Sequence, residues 1–254
     1  MTARQSSRFP TRSRLHAFAL EAWYGLGVSV GFHGISVRYP MIRRVLDERL
    51  SYLGATALVE LAKEVTRVEQ EGLEGAIVEA GCALGGSTLV LAAAKRPERP
   101  MFVFDVFDII PPPSVSDGPD AHERYTEIVS GKAVGIKGNP YYGYEGNLLE
   151  RVREAFLRHD LPVEENRIAL VKGRFEESLH LDQPIALAHI DCDWYDSVMT
   201  CLSRMEPLLV RRGVLVVDDY VDWSGCQSAV HDYFRGRERE FDFLMRARLQ
   251  IRRR

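Results

Sequence analysis

Two acidic pairs carry the clearest chemistry in this chain. His-Ile-Asp-Cys-Asp-Trp at 189–194 contains Asp191 and Asp193, and Val-Val-Asp-Asp-Tyr at 216–220 contains Asp218 and Asp219. Each pair ends an apolar run with little alternation, the pattern of a strand buried on both faces. Strands joined by one crossover helix usually lie adjacent and parallel, so both pairs should meet at one edge of a sheet. Four carboxylates gathered there cannot all stay ionised without a counter-charge. They need shared protons or a divalent cation. Hard cations such as Mg²⁺ take oxygen ligands and keep positions open for water or substrate, and no His–Cys cluster competes for a softer metal. In the alternative, one acid of each pair, Asp193 or Asp219, points into solvent or caps the next helix. Two separate pairs at strand ends favour the metal.

A second constellation lies upstream. Ala76 to Ala80 is a short apolar run that leads into Glu79-x-Gly81-x-x-x-Gly85-Gly86 and then an apolar helical pattern through Ala94. Glycine lets the backbone approach a ligand, and a helix beginning near Ser87 offers free N–H groups. The spacing is neither the G-x-G-x-x-G of a dinucleotide fold nor a phosphate loop with G-K-[ST]. An acid at such a turn repels phosphate and welcomes a cationic, amine-bearing ligand such as S-adenosylmethionine. Asp105, ending Met-Phe-Val-Phe-Asp, is placed to accept hydrogen bonds from ribose hydroxyls. The plain alternative for Glu79 and Asp105 is a strand-end acid satisfied by water.

The elements that must hold these residues alternate in type. Apolar residues three and four apart predict helices over about 41–50 and 55–71. Strands are expected at 76–80, 101–107, 166–173, 185–194 and 213–220, with helices through Ala94 and around 147–159, 195–209 and 225–237. Strands alternating with helices mean a parallel sheet covered on both faces. The last segment, 241–254, reads as an edge strand whose arginines face water. Residues 1–15, with Arg4, Arg8, Arg12 and Arg14, read as a loose arm. The apolar 15–30 segment, interrupted by Gly25 and Gly27, suits a helix that covers a pocket or meets a second subunit. Residues 1–40 thus form an arm and 41–254 the main domain. One stretch breaks the rhythm: 108–146 holds prolines, glycines and Tyr125, Tyr141, Tyr142 and Tyr144. Long insertions of this kind are often lids, and this one reads as a lid over an acceptor.

Hydrophobic residues make up 46% of the 254 and charged residues 27%, the balance of a globular chain. The net charge of -3 argues against a nucleic-acid partner. No apolar run reaches the roughly 18 residues of a membrane span. Four cysteines without CxxC pairing fit a reducing, cytoplasmic address. Cys82 and Cys192 read as small fillers, His189 as a core or supporting residue, His231 as part of a solvated face, and Trp223 as packing that could wall a pocket. The absence of a G-x-S-x-G elbow weighs against an α/β-hydrolase.

Taken together, IVEAGCALGGST (77–88), VFDVF (103–107), LVKGRFEESL (170–179), IDCDWYDS (190–197) and VVDDYVDWSGCQSAV (216–230) resemble the macrocin O-methyltransferase family over about 75–235. The resemblance implies an α/β protein of the class I S-adenosylmethionine-dependent methyltransferase fold, a Rossmann-like, mostly parallel seven-stranded sheet with helices on both faces. It implies a methyltransferase dependent on S-adenosylmethionine and Mg²⁺, acting on a sugar hydroxyl of a glycosylated natural product or nucleotide sugar. Asp191, Asp218 and Asp219 would be metal ligands and Asp193 the general base. Glu79, Gly81, Gly85, Ser87, Thr88, Asp105 and Asp191 would form the cofactor site, with Phe175 facing the adenine. A small sugar-bearing acceptor, no membrane or nucleic acid, and a homo-oligomer complete the expectation. A catechol or phenolic diol acceptor uses the same metal logic. An inactive sugar- or nucleotide-binding module is the non-enzymatic alternative, and the intact acids argue against it.

Overall fold

A computed structural model describes Phe9 and residues 39–254. The helix expected within 15–30 lies outside the described residues. Seven strands form one sheet in the order β3-β2-β1-β4-β5-β7-β6. They are β1 (Ala76–Ala80), β2 (Met101–Asp105), β3 (Ile168–Lys172), β4 (Ile185–Ile190), β5 (Leu209–Val217), β6 (Phe241–Met245) and β7 (Leu249–Arg253). The pairings among β1 to β5 are all parallel. The chain runs outward from β1 to β2 and β3, then returns to place β4 on the other side of β1. That reversal makes the gap between the ends of β1 and β4 a topological switch point, where open α/β sheets bind ligands.

Helices cover both faces, as the alternation predicts. On one side α1 (Pro40–Asp47), α2 (Ala55–Gln70), α3 (Gly86–Ala94) and, after the insertion helix α4 (Pro119–Val129), α5 (Leu148–Arg158) bury Val45, Leu58, Leu61, Leu89, Val152 and Phe156 against Ile77, Val103, Leu187 and Val214. Beyond the short α6 (Phe175–Ser178), helices α7 (Tyr195–Met205) and α8 (Ser224–Phe234) pack Val198, Leu202 and Val230 onto Val78, Phe104, Ala188 and Leu215. Neighbouring strand residues thus feed opposite cores, the period-two consequence of a pleated strand. No helix among the described residues is long and apolar enough to cross a membrane.

The C-terminal segment differs from expectation. It is a hairpin, not one strand: β7 pairs antiparallel with β5, and β6 forms the outer edge. Its arginines do not simply face water, since Arg252 pairs with Glu64 at 3.1 Å and Arg253 donates to the Leu209 carbonyl at 2.9 Å. The Arg246–Arg248 turn reverses the chain, and one alternating pattern serves both arms.

The 108–146 insertion is built and anchored. Its helix α4 precedes two single 3₁₀ turns at Ile136–Gly138 and Tyr142–Tyr144. Asp117 Oδ1 accepts from the Tyr195 backbone N–H at 2.7 Å, and Asp120 accepts from both the Ser224 N–H at 3.0 Å and its hydroxyl at 2.7 Å. Tyr195 and Ser224 are the first residues of α7 and α8, where N–H groups lack intrahelical partners. Gly225 makes room, since a Cβ there would lie 2.0 Å from Asp117 Oδ1. Trp194 adds a third tie, donating Nε1–H to the Pro111 carbonyl at 2.9 Å. Asp117→Ala should therefore cost about 1 kcal/mol, the usual cost of a lost helix cap. The effect is read as a lower urea midpoint at unchanged slope; an unchanged midpoint would refute the anchor.

Candidate active site

The floor of the site is the glycine turn between β1 and α3. Gly81 has φ +87°, and a Cβ on it would lie 1.8 Å from the Asp191 carbonyl oxygen. Only glycine lets the end of β1 pass this close to β4. Gly85, with φ +84°, is the left-handed residue from which α3 starts. Asp105 at the end of β2 holds the turn in place: Oδ2 accepts from the Cys82 and Ala83 N–H groups at 2.7 and 3.1 Å, and Oδ1 from Phe107 N–H at 2.7 Å. Burial pushes its carboxyl up, and these bonds offset part of the rise.

A cavity of about 330 Å³ opens above the turn. Gly81, Ser87, Asp105 and all four aspartates of the acidic pairs line it, with Arg124, Tyr141 and Tyr142 of the insertion above and Trp223 at the side. A smaller hollow of about 50 Å³ shares Gly81, Asp105 and Asp191 with it and extends to Phe175. Arg204 of α7 secures that end, donating to the carbonyls of Phe175, Glu176 and Leu179 at 2.8, 2.8 and 3.0 Å.

Glu79, Thr88 and Gly85 do not line these hollows. Glu79 is 0% exposed, accepts a hydrogen bond from the Thr88 hydroxyl, and pairs with His189 Nδ1 at 2.9 Å. The reason is register: Glu79 lies opposite His189 in the β1–β4 pair, so its side chain is spent inside the sheet. His189 is correspondingly a core residue, as expected. Burial opposes its protonation, but Asp218 and Glu79 beside it raise its pKa to about 10. His231 is half-buried rather than solvated, stacked on Phe9 and hydrogen-bonded to the Tyr220 hydroxyl.

The acids meet as their positions require, but not as equals. Ligand oxygens of Asp191, Asp193 and Asp219 lie within 4.8 Å of one another. Asp193 sits at φ +57°, an uncommon conformation for a non-glycine residue, and its N–H donates to Asp219 Oδ2 at 3.2 Å. Burial and the neighbouring carboxylates push Asp191 and Asp219 well above the usual range, and Asp193 to about 6. Asp218 goes the other way. Burial would raise it, but Arg248 and His189 together hold it low. Arg248 Nε donates to Asp218 Oδ1 at 2.6 Å from the β6–β7 turn. Sequence reasoning had no signal for Arg248 at the site, because its place depends on hairpin register. Arg124 also went unmarked, as one charge within an insertion otherwise notable for tyrosines.

Comparison with known proteins now decides the class. Residues 48–243 match the family model of macrocin-O-methyltransferase (TylF). The chain belongs to the macrocin-O-methyltransferase family. Over 191 residues, 73% of this chain and 67% of the relative, it is 30% identical to the 8-demethyl-8-(2,3-dimethoxy-alpha-L-rhamnosyl)-tetracenomycin-C 4'-O-methyltransferase of Streptomyces olivaceus. It is 26% identical to the demethyldecarbamoylnovobiocin O-methyltransferase of Streptomyces niveus over 71% of this chain and 66% of that one. The chain thus spans about two thirds of the length of these curated relatives. Among solved structures, the O-methyltransferase NovP aligns with a TM-score of 0.65 at 23% identity, covering 80% of this chain and 82% of NovP. The calicheamicin methyltransferase CalS11 aligns with a TM-score of 0.58 at 18% identity over 99% and 98%. At these identities the likeness is one of fold, the class I methyltransferase fold. This macrocin-O-methyltransferase relative is an O-methyltransferase by class, as the resemblance implied.

For this family member the Gly81 crossing gives a direct test. Gly81→Ala would force a methyl group onto the Asp191 carbonyl in a left-handed conformation, and should cost about 2 kcal/mol or more. A melting temperature equal to the unmodified protein's would overturn the geometry of the crossing.

Proposed function

We propose that the chain transfers a methyl group from S-adenosylmethionine to a sugar hydroxyl of a glycosylated natural product or nucleotide sugar, assisted by Mg²⁺ or another divalent cation. The observation that carries this reading is the single cavity in which the glycine turn, Asp105 and the acidic pairs converge. The rhamnosyl acceptor named for the 30% identical relative supports a sugar over a phenolic diol.

The residues fit a cation. Burial and neighbouring carboxylates raise Asp191 and Asp219 well above the usual range, and burial raises Asp193 to about 6, so a cation held among them would relieve the crowding. Asp191 and Asp219 are the central candidate ligands, with Asp218 as the third that the family resemblance implies. A cation there would supply Lewis-acid stabilisation to a hydroxyl oxygen that is losing its proton. The cofactor would lie along the Gly81 turn beside Ser87, with Asp105 on the ribose side and Phe175 on the adenine side. Glu79 and Thr88 then act from beneath, by bracing the turn and α3.

Asp193 is the proposed general base. Its carboxyl borders the cavity, and a pKa of about 6 leaves it ionised near neutral pH, as proton abstraction requires. Tyr141, Tyr142 and Arg124 roof the chamber and limit water around the reacting hydroxyl. The roof end of the 108–146 insertion acts as the lid, while its Asp117 and Asp120 end stays fixed. The acceptor is a small molecule, and the setting a cytoplasmic, homo-oligomeric enzyme.

Asp193→Asn should retain S-adenosylhomocysteine binding by calorimetry yet lose about 10²–10⁴-fold in turnover, the usual effect of removing a general base. EDTA should abolish methylation of a rhamnosylated acceptor by the unmodified protein, and added Mg²⁺ should restore it. Full activity in EDTA would sink the cation, and preferential methylation of a simple catechol would sink the sugar.

A further inference from the structure

Arg248 stands apart from the rest of the site. It comes from the turn of the C-terminal hairpin and forms an ion pair with Asp218. The contact is tight and sheltered, at 2.6 Å with side-chain exposures of 14% and 7%. Its position is set from both sides: Val217 is in register with Leu249, so the residue after one lies beside the residue before the other. Arg248 Nη1 also donates to the Ala247 carbonyl at 3.1 Å, which fixes the guanidinium on its own turn.

Resting on the cation reading above, we propose that Arg248 is a resident counter-ion that competes with the divalent cation for Asp218. The juxtaposition of the hairpin guanidinium with the acidic cluster then sets how tightly the cation is held. Asp191, Asp193 and Asp219 form the group with mutually close oxygens, and Asp218 is outside it. Two effects work in the same direction. The guanidinium occupies a carboxylate oxygen that a cation could use, and its charge repels a cation lodged a few ångströms away. The gain for the protein is a site that stays electrostatically tolerable when no cation is bound. His189 shares this duty from below, 3.8 Å from the same Asp218 oxygen, but it is shut within the sheet and cannot exchange with a ligand. Arg248 lines the cavity and can.

The test is a binding cycle read by Mn²⁺ electron paramagnetic resonance, which needs neither acceptor nor turnover. Arg248→Gln should tighten Mn²⁺ binding roughly 10-fold or more, the scale on which residues just outside a metal's ligands act. Asp218→Asn should weaken Mn²⁺ binding more in the Arg248→Gln background, where the carboxylate is released to the cation, than in the unmodified protein. Arg248→Lys, which keeps the charge but not the planar fork, should fall between, and circular dichroism checks that each variant is folded. If Arg248→Gln leaves affinity unchanged or weakens it, or if Asp218→Asn costs the same in both backgrounds, the competition does not exist. If the unmodified protein and Arg248→Gln both fail to bind Mn²⁺, the cation reading falls and this inference with it.

Discussion

The crowding of carboxylates at the ends of β4 and β5 is the constraint around which this site is built. The backbone leaves no freedom to relieve it, because Asp191 N–H is bonded to Ala80 and Asp218 N–H to Ile190, both at 2.9 Å. Sheet pairing therefore drives the acids together whatever their charge. At a separation of 4 Å, two like charges cost about 4 kcal/mol even at an effective dielectric of 20. The protein offsets part of this with His189 and Arg248, and leaves Asp191 and Asp219 with carboxyls raised well above the usual range by burial and by the neighbouring carboxylates. A fold stabilised for its own sake would not keep such a cluster at its switch point.

Relief of the same charge also ties the two halves of the cavity together. Thr88 on α3, Glu79 on β1, His189 on β4, Asp218 after β5 and Arg248 on the hairpin form one chain of hydrogen bonds and ion pairs beneath the site. It runs from the helix that starts at the glycine turn to the last turn of the sheet. Its weakest link is the His189 Nε2–Asp218 contact, an ion pair at 3.8 Å rather than a hydrogen bond.

The insertion obeys a different economy. Its carboxylates serve helix N-termini at one end, and its tyrosines pack among themselves over the cavity at the other. Tyr141 lies 4.5 Å from the Tyr142 ring and 5.3 Å from that of Tyr144, and Arg124 stands over Tyr141 at 5.6 Å. Caps are short, directional and specific, so they fix a position. Aromatic contacts are less directional than caps, so this end is held by packing, with the Tyr144 hydroxyl bonded to the Ile128 carbonyl at 2.6 Å.

Much of this was legible in the residue order because it is local. Strand runs, the positions of Gly81 and Gly85, the amphipathic stripes of α1 and α2, and the placement of Asp105, Asp191, Asp193, Asp218 and Asp219 at strand ends all follow from periodicity and turn chemistry over a few residues. What the folded chain alone decided is which partners those residues took. Glu79 turned inward because β1 and β4 align it with His189, 110 positions away. Asp218 separated from its three neighbours because a hairpin, read from sequence as a single strand, carried Arg248 to it across 30 positions. Both outcomes depend on register between distant strands, and no local pattern encodes the distance at which two side chains will meet.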